Sequence, residues 1–234
     1  MDTPVPTRST RDRPAKAPLS ENAIVDAALA ITQAEGLEAV TMRRVAAALD
    51  TGAASLYVYL SNRDDLLRAM MDRVAQTVPL AAPEAERWRE QVHELLRGFR
   101  LALESWPGIA NVLIGEAPAT EGTLAGAENL FGILLAGGIA AQDAAWAVDI
   151  LMLIVTATAA ETDVRRAAGH TTEADRVHAV SRIRETFEQL PPDRFPLLVA
   201  HSSEMVSGVG DARFHFAIDT FLDGLAARSA QAAG

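Results

Sequence analysis

A chain of 234 residues, 49% hydrophobic and 22% charged, is enough for one large or two smaller globular domains and is not the composition of a disordered protein. It has no cysteine, which excludes disulfides, thiolate catalysis and cysteine-based zinc sites, and its net charge of -10 argues against a general nucleic-acid coat. The N-terminus lacks the apolar core of a signal peptide and the longest oily run, Ile150 to Ala160, is too short to span a bilayer, so a cytoplasmic protein with no membrane partner is expected.

The charge is uneven. Residues 1–66 hold seven Lys and Arg against nine Asp and Glu, a net of -2, which leaves -8 for the rest. Residues 1–18 read as a flexible basic arm, with Arg8, Arg11, Arg13 and Lys16 facing only Asp2 and Asp12 among prolines and small polar residues. A solvated tail and an arm lying on a phosphate backbone or in a minor groove are both open.

From Ser20 the pattern is helical. Ser20 is an N-cap, Ile24, Ala28 and Ile31 recur at helical spacing, and Gly36 supplies a C-cap. In "TMRRVAAALD", Thr41 caps a second helix whose apolar face is Met42, Val45 and Leu49, leaving Arg43 and Arg44 outward. A later helix, capped by Ser61, carries Leu66, Leu67, Met70, Met71, Val74 and Val78 at helical spacing.

Between them lies "TGAASLYVYL", whose alternation from Leu56 to Leu60 reads locally as a strand. A strand there would have no partner for its backbone. The segment from Gly52 or Ala53 to Leu60 is therefore predicted as a helix, packed inward by Leu56 and Leu60. Its outer face is Thr51, Ala54, Ser55 and Val58, with Tyr57 and Tyr59 on the flanks.

Beyond Pro79 the chain stays helical. Trp88, Val92, Leu95, Phe99, Leu103 and Trp106 recur in steps of four or three, and Pro107 and Gly108 end that helix. Leu124 to Leu135 is a second helix within a glycine-rich stretch, where Gly122 to Gly126, Gly137 and Gly138 read as turn punctuation. The segment 141–166 is apolar nearly all round and needs a partner in this chain or in another copy. Thr172 to Leu190, a proline-punctuated stretch with a short helix, and an amphipathic 211–228 complete an all-α fold.

Five scattered histidines, with no HxxxH or HExxH spacing, give no metal site. No nucleophile sits beside a base, no glycine-rich phosphate loop follows a strand, and no carboxylate pair has a defined spacing, so an enzyme is not expected. No cofactor is expected either.

The run Ser55, Leu56, Tyr57, Val58, Tyr59, Leu60, Asn62, Arg63 and Leu66, after two short helices and a "DTG" turn, resembles the DNA-binding domain of the tetracycline-repressor (TetR) family over residues 19 to about 72. The C-terminal region resembles, more loosely, the ligand-binding domain of the tetracycline repressor itself. The resemblance implies a DNA-binding domain at 19–66 and a ligand-binding and dimerisation domain at 67–234. It implies a homodimeric repressor, bound to a palindromic operator and released by a small-molecule effector. The implied DNA-facing set is Thr41, Arg43, Thr51, Gly52, Ala53, Ala54, Ser55, Tyr57, Val58, Tyr59 and Arg63, with Arg43 reaching DNA and Arg63 binding phosphate. Small residues at 52–54 allow close approach to base edges, Thr51 and Ser55 can hydrogen-bond there, and Val58 can touch a thymine methyl.

The chain departs from the family pattern at Asp50, usually glycine or alanine, and at Ser61, often proline or lysine. The groove-facing helix has no Arg, Lys, Asn or Gln, so specificity must come from Arg43, hydroxyls, apolar contacts and DNA shape. An effector pocket is expected between the 88–106 and 146–164 helices, at His93, Phe99, Trp106, Asn111, Met152 and Thr156. The tetracycline repressor's magnesium-chelate ligands do not map onto these histidines. The dimer is expected to use the helices at 145–164 and 211–228. A helical carrier without DNA binding is the competing reading, because the recognition face is so bland.

Overall fold

A computed structural model describes residues 18–113, 119–169, 172–208 and 211–232; the basic arm at 1–17 lies outside them. Among the described residues there are twelve α-helices and no strand, as the all-α reading expects.

Helix α1 (Glu21–Glu35) starts where the Ser20 hydroxyl accepts the Ala23 N–H at 3.2 Å, and it ends at Gly36. A 3-10 turn, Leu37–Ala39, leads to α2 (Met42–Ala48), α3 (Ala53–Leu56) and α4 (Arg63–Gln76). Helix α3 is shorter than predicted. Its α-helical part stops at Leu56, and the chain continues to Leu60 as a turn closed by the Tyr59 and Leu60 amides on the Leu56 carbonyl, at 2.9 and 3.0 Å. Leu56 and Leu60 are buried as the helical reading requires. The cap of α4 is Asn62 rather than Ser61, its side chain accepting the Asp65 N–H at 2.8 Å.

Helix α4 packs against α1 and also against α7 (Glu121–Ala136). The rest is a bundle in which α5 (Trp88–Glu104) and α8 (Ala141–Ala167) form the largest contact, with α6 (Ile109–Leu113) and α12 (Ala212–Ala232) also on α8. Helices α9 (Glu173–Glu188), α10 (Pro196–Ala200) and α11 (Ser202–Met205) pack on one another. One continuous apolar core runs from Ile24 in α1 to Leu225 in α12. Helix α8 has 27 residues and is long and apolar enough, by length and composition alone, to cross a membrane, so the run Ile150 to Ala160 understated it. In the fold Ala144, Ala147, Leu151, Val155 and Ala159 make one buried face of it.

Gly122 and Gly126 are not turn residues. Both lie inside α7 and are buried because their neighbours leave no room for a side chain: a Cβ on Gly122 would stand 2.8 Å from the Asp72 carbonyl oxygen, and one on Gly126 only 2.4 Å from Cζ of Phe99. Gly108, in the turn after α5, joins the two halves of the molecule. Its N–H donates to Oδ2 of Asp163 at 2.7 Å, its φ is +92°, and a Cβ would meet that of Leu37 at 2.8 Å. Gly108→Ala is expected to cost about 2 kcal/mol, from left-handed strain plus the clash, and to lower the urea midpoint accordingly.

Candidate nucleic-acid interface and ligand cavity

The surface expected to face DNA forms where α2 gives way to α3. The Thr51 N–H donates to the Ala46 carbonyl at 2.9 Å and the Asp50 N–H to that of Ala47 at 3.1 Å, a pairing that ends a helix through one left-handed residue. That residue is Asp50, at φ 50°, a region that aspartate tolerates better than most side chains. The turn delivers Gly52, Ala54, Tyr57 and Val58 to the surface, with Val58 79% exposed and Tyr57 52%. Thr51, Ala53 and Ser55 are half-buried beside them. Thr41 is exposed and caps α2, its hydroxyl accepting the Arg44 N–H at 3.1 Å.

The cations separate sharply. Arg43 is exposed and has no polar partner among the described residues. Arg44 is paired with Glu35, and that hydrogen bond holds the Glu35 carboxyl below its ordinary value. Arg63, expected at a phosphate, instead donates Nε to the Val40 carbonyl at 2.9 Å and a terminal nitrogen to that of Leu37 at 3.4 Å. Tyr59 donates its hydroxyl to the Leu19 carbonyl at 2.7 Å. In this structure both side chains brace the unit: Arg63 ties α4 to the turn before α2, and Tyr59 ties the recognition turn to the root of α1.

A cavity of about 490 Å³ lies between α4, α5, α7 and α8. Phe99, Met152 and Thr156 line it as the sequence suggested; His93, Trp106 and Asn111 do not. His93 is turned toward α12, where its Nε2 meets Oδ1 of Asp219 at 2.7 Å and its Nδ1 meets Nδ1 of His215 at 3.2 Å. That contact belongs to an antiparallel seam, with Arg89 on Asp223 at 2.9 Å on one side and Arg100 on Asp211 at 2.7 Å on the other. Trp106 is half-buried past the end of α5, and Asn111 is exposed.

The sequence reading missed the α4 wall: Arg68, Met71, Val74 and Ala75 face the cavity. The stripe was visible as the apolar face of α4, but nothing local says that a helix face lines a space instead of filling a core. Gly126 is the other omission, for it admits the Phe99 ring to the wall. Thr120, Thr123, Asp149 and Arg68 supply the polar groups. Arg68, Asp149 and Leu153 are exposed, so the cavity is open on their side. Its size and its mostly apolar walls suit a drug-sized molecule.

Comparison with known proteins places this arrangement. A sequence-family model described as tetracyclin repressor-like, C-terminal domain, matches residues 79–229, and one described as bacterial regulatory proteins, tetR family, matches residues 24–70. The chain belongs to the tetracycline-repressor family. The HTH-type transcriptional repressor DrrR1 of Streptomyces coeruleorubidus is 28% identical over 230 residues, covering 96% of this chain and 85% of that protein. The tetracycline repressor protein class G of Vibrio anguillarum is 26% identical, over 88% of this chain and 93% of its own. Apo ActR of Streptomyces coelicolor superposes with a TM-score of 0.83 at 34% identity, covering 93% of this chain and 100% of that one. ActR in complex with actinorhodin gives 0.81 at 36%, over 90% and 97%. The protein is thus a helix-turn-helix transcriptional regulator, of a family in which ActR has been solved in complex with a small molecule, and the carrier reading is the weaker one.

The Arg63 brace yields a prediction that a phosphate contact would not. Arg63→Ala should lower stability without DNA by about 2 kcal/mol, read from the urea midpoint, since charged hydrogen bonds to two carbonyls are lost. Arg63→Lys should recover little, because an ammonium cannot span both carbonyls as a guanidinium does.

Proposed function

We propose that this chain is a homodimeric repressor that holds a palindromic operator and releases it when a small, largely apolar effector enters the α4–α5–α7–α8 cavity. The observation that carries this reading is the placement of α4, which packs on α1 in the DNA-binding unit and lines the cavity with Met71, Val74 and Ala75. A ligand there touches the helix on which the recognition unit rests.

In this reading α3 enters the major groove, and Gly52, Ala53 and Ala54 let the backbone approach the base edges. Thr41, Thr51 and Ser55 offer hydroxyls, Val58 touches a thymine methyl, Arg43 reaches the DNA from α2 as the one charged group available for specificity, and Tyr57 holds the backbone. The second copy docks on the exposed side of α8, where Trp146, Ile150, Leu153, Ala157 and Val164 recur at helical spacing, continued by Phe216 of α12. The two recognition units then sit about one helical turn, roughly 34 Å, apart. Such a regulator works in the cytoplasm.

The test is a gel shift against duplexes from the region upstream of its own gene, at two salt concentrations. A selective shift that weakens with salt is expected. Arg43→Ala with Tyr57→Phe should weaken it by about tenfold or more; an unchanged shift would favour the carrier. Gly126→Ala forces the Phe99 ring to move within the cavity wall. With actinorhodin as probe, it should retain operator binding while losing about tenfold in ligand affinity by tryptophan quenching.

A further inference from the structure

The cavity between α4, α5, α7 and α8 has mostly apolar walls, and its polar groups can be followed one by one to their partners. Thr156 turns its hydroxyl back onto its own helix, donating to the carbonyls of Met152 and Leu153 at 3.0 and 3.1 Å. The Thr123 hydroxyl donates to the Thr120 carbonyl at 3.0 Å, so in the 2.9 Å contact between the two hydroxyls Thr120 is the donor. The hydroxyl protons of all three threonines are thus spent within the protein. What these side chains leave for a ligand is acceptor capacity.

The charges stand at the open side. Arg68 lies on the α4 side of the mouth and donates to Asp65 at 2.7 Å, so a carboxylate already balances it before any ligand arrives. Asp149 lies on the α8 side, one helical turn before Leu153, and has no polar partner among the described residues. The mouth therefore holds one positive charge against two negative ones, on a chain whose net charge is -10. An unbalanced charge beside apolar walls is felt more strongly by a ligand than the same charge on an open surface, and here its sign favours cations.

We propose that the molecule this cavity selects is an amphiphilic cation, an apolar body of drug size that carries a basic amine, with Asp149 as the specificity-determining counter-ion. The body lies on Met71, Phe99, Leu103 and Met152, and the ammonium group donates to Asp149 at the mouth, where both charges keep part of their hydration. A ligand carboxylate would meet Asp149 as a like charge and would have to share Arg68 with Asp65. An uncharged ligand rich in carbonyl groups would find no donor among the threonines. This inference rests on the effector reading of the cavity and names the chemical class of the effector.

Three probes that share one ring system and differ in charge provide the test: anthracenemethylamine, anthracenemethanol and anthracenecarboxylate, each substituted on the central ring. Each is titrated into the full-length protein at neutral pH and followed by quenching of tryptophan fluorescence. The amine should bind about fivefold or more tightly than the alcohol, the scale of one charged hydrogen bond at an open site, and the carboxylate more weakly than either. Added salt should shrink the advantage of the amine. Asp149→Asn keeps the size of the side chain and removes its charge, and should bring the amine and the alcohol to within about twofold of each other. Equal binding of amine and alcohol by the wild-type protein would overturn the proposal, as would a preference for the carboxylate or an amine preference that survives Asp149→Asn; each of these leaves the cavity a ligand site. Failure of all three probes to bind saturably would defeat the effector reading of the cavity together with this one.

Discussion

Helix α4 is one uninterrupted helix with two obligations. It is buried against α1 in the DNA-binding unit, and it gives Met71, Val74 and Ala75 to the wall of a cavity that also touches α5, α7 and α8. Because a helix transmits displacement nearly as a rigid rod, neither obligation can change without the other. Its attachments are polar as well as apolar. At its start Arg63 grips the carbonyls of Leu37 and Val40, and further along Asp72 accepts the Gly122 N–H at 2.6 Å, at the head of α7. A second joint runs through Gly108, seated on Leu37 and tied by Asp163 to α8. Leu37 therefore meets the C-terminal half through Gly108 and α4 through its carbonyl, which places the short turn before α2 under the influence of both.

Much of this was legible in the sequence, because the fold's elements carry their own punctuation. Ser20, Gly36, Thr41 and Pro107 mark helix ends by chemistry, and the stripes of α1, α5 and α12 declare their buried faces. The segment around Tyr57 shows where local pattern fails. Its alternation favours a strand, and only the absence of a strand partner overrules that propensity. Even so, α3 unwinds after Leu56, since a turn suffices to bring Leu60 inward.

What stayed hidden depends on distance through space. Arg63 has the spacing of a DNA contact, yet its guanidinium turns back onto two carbonyls, twenty-three and twenty-six residues earlier in the chain. Periodicity cannot tell a helix face that fills a core from one that borders a void, so the α4 wall read as ordinary packing. Gly122 and Gly126 were misread for a related reason. Within a helix a glycine costs about 1 kcal/mol relative to alanine, and the compensation lies in Phe99 and Asp72, which one strand of letters does not bring together. His93 showed the converse error, since its helix was the right one but its direction is toward α12.

The shape of the cavity also constrains how a ligand can act. A molecule bound there shifts the DNA-binding unit only through the difference between its affinities for the two arrangements of α4. Linkage makes the effect reciprocal, so operator DNA must weaken the ligand by the same factor by which the ligand weakens the operator. A hundredfold release corresponds to about 2.7 kcal/mol of differential affinity. Contacts to walls that keep their places do not provide it, because they contribute equally to both states. The α4 residues and those α7 residues fixed to α4 through Asp72 and Gly122 are where the difference must arise. On the repressor reading proposed above, selectivity for an effector can therefore reside in Phe99, Met152 and Thr156, and its power to release DNA in Met71, Val74 and Ala75, the part of the wall that α4 supplies.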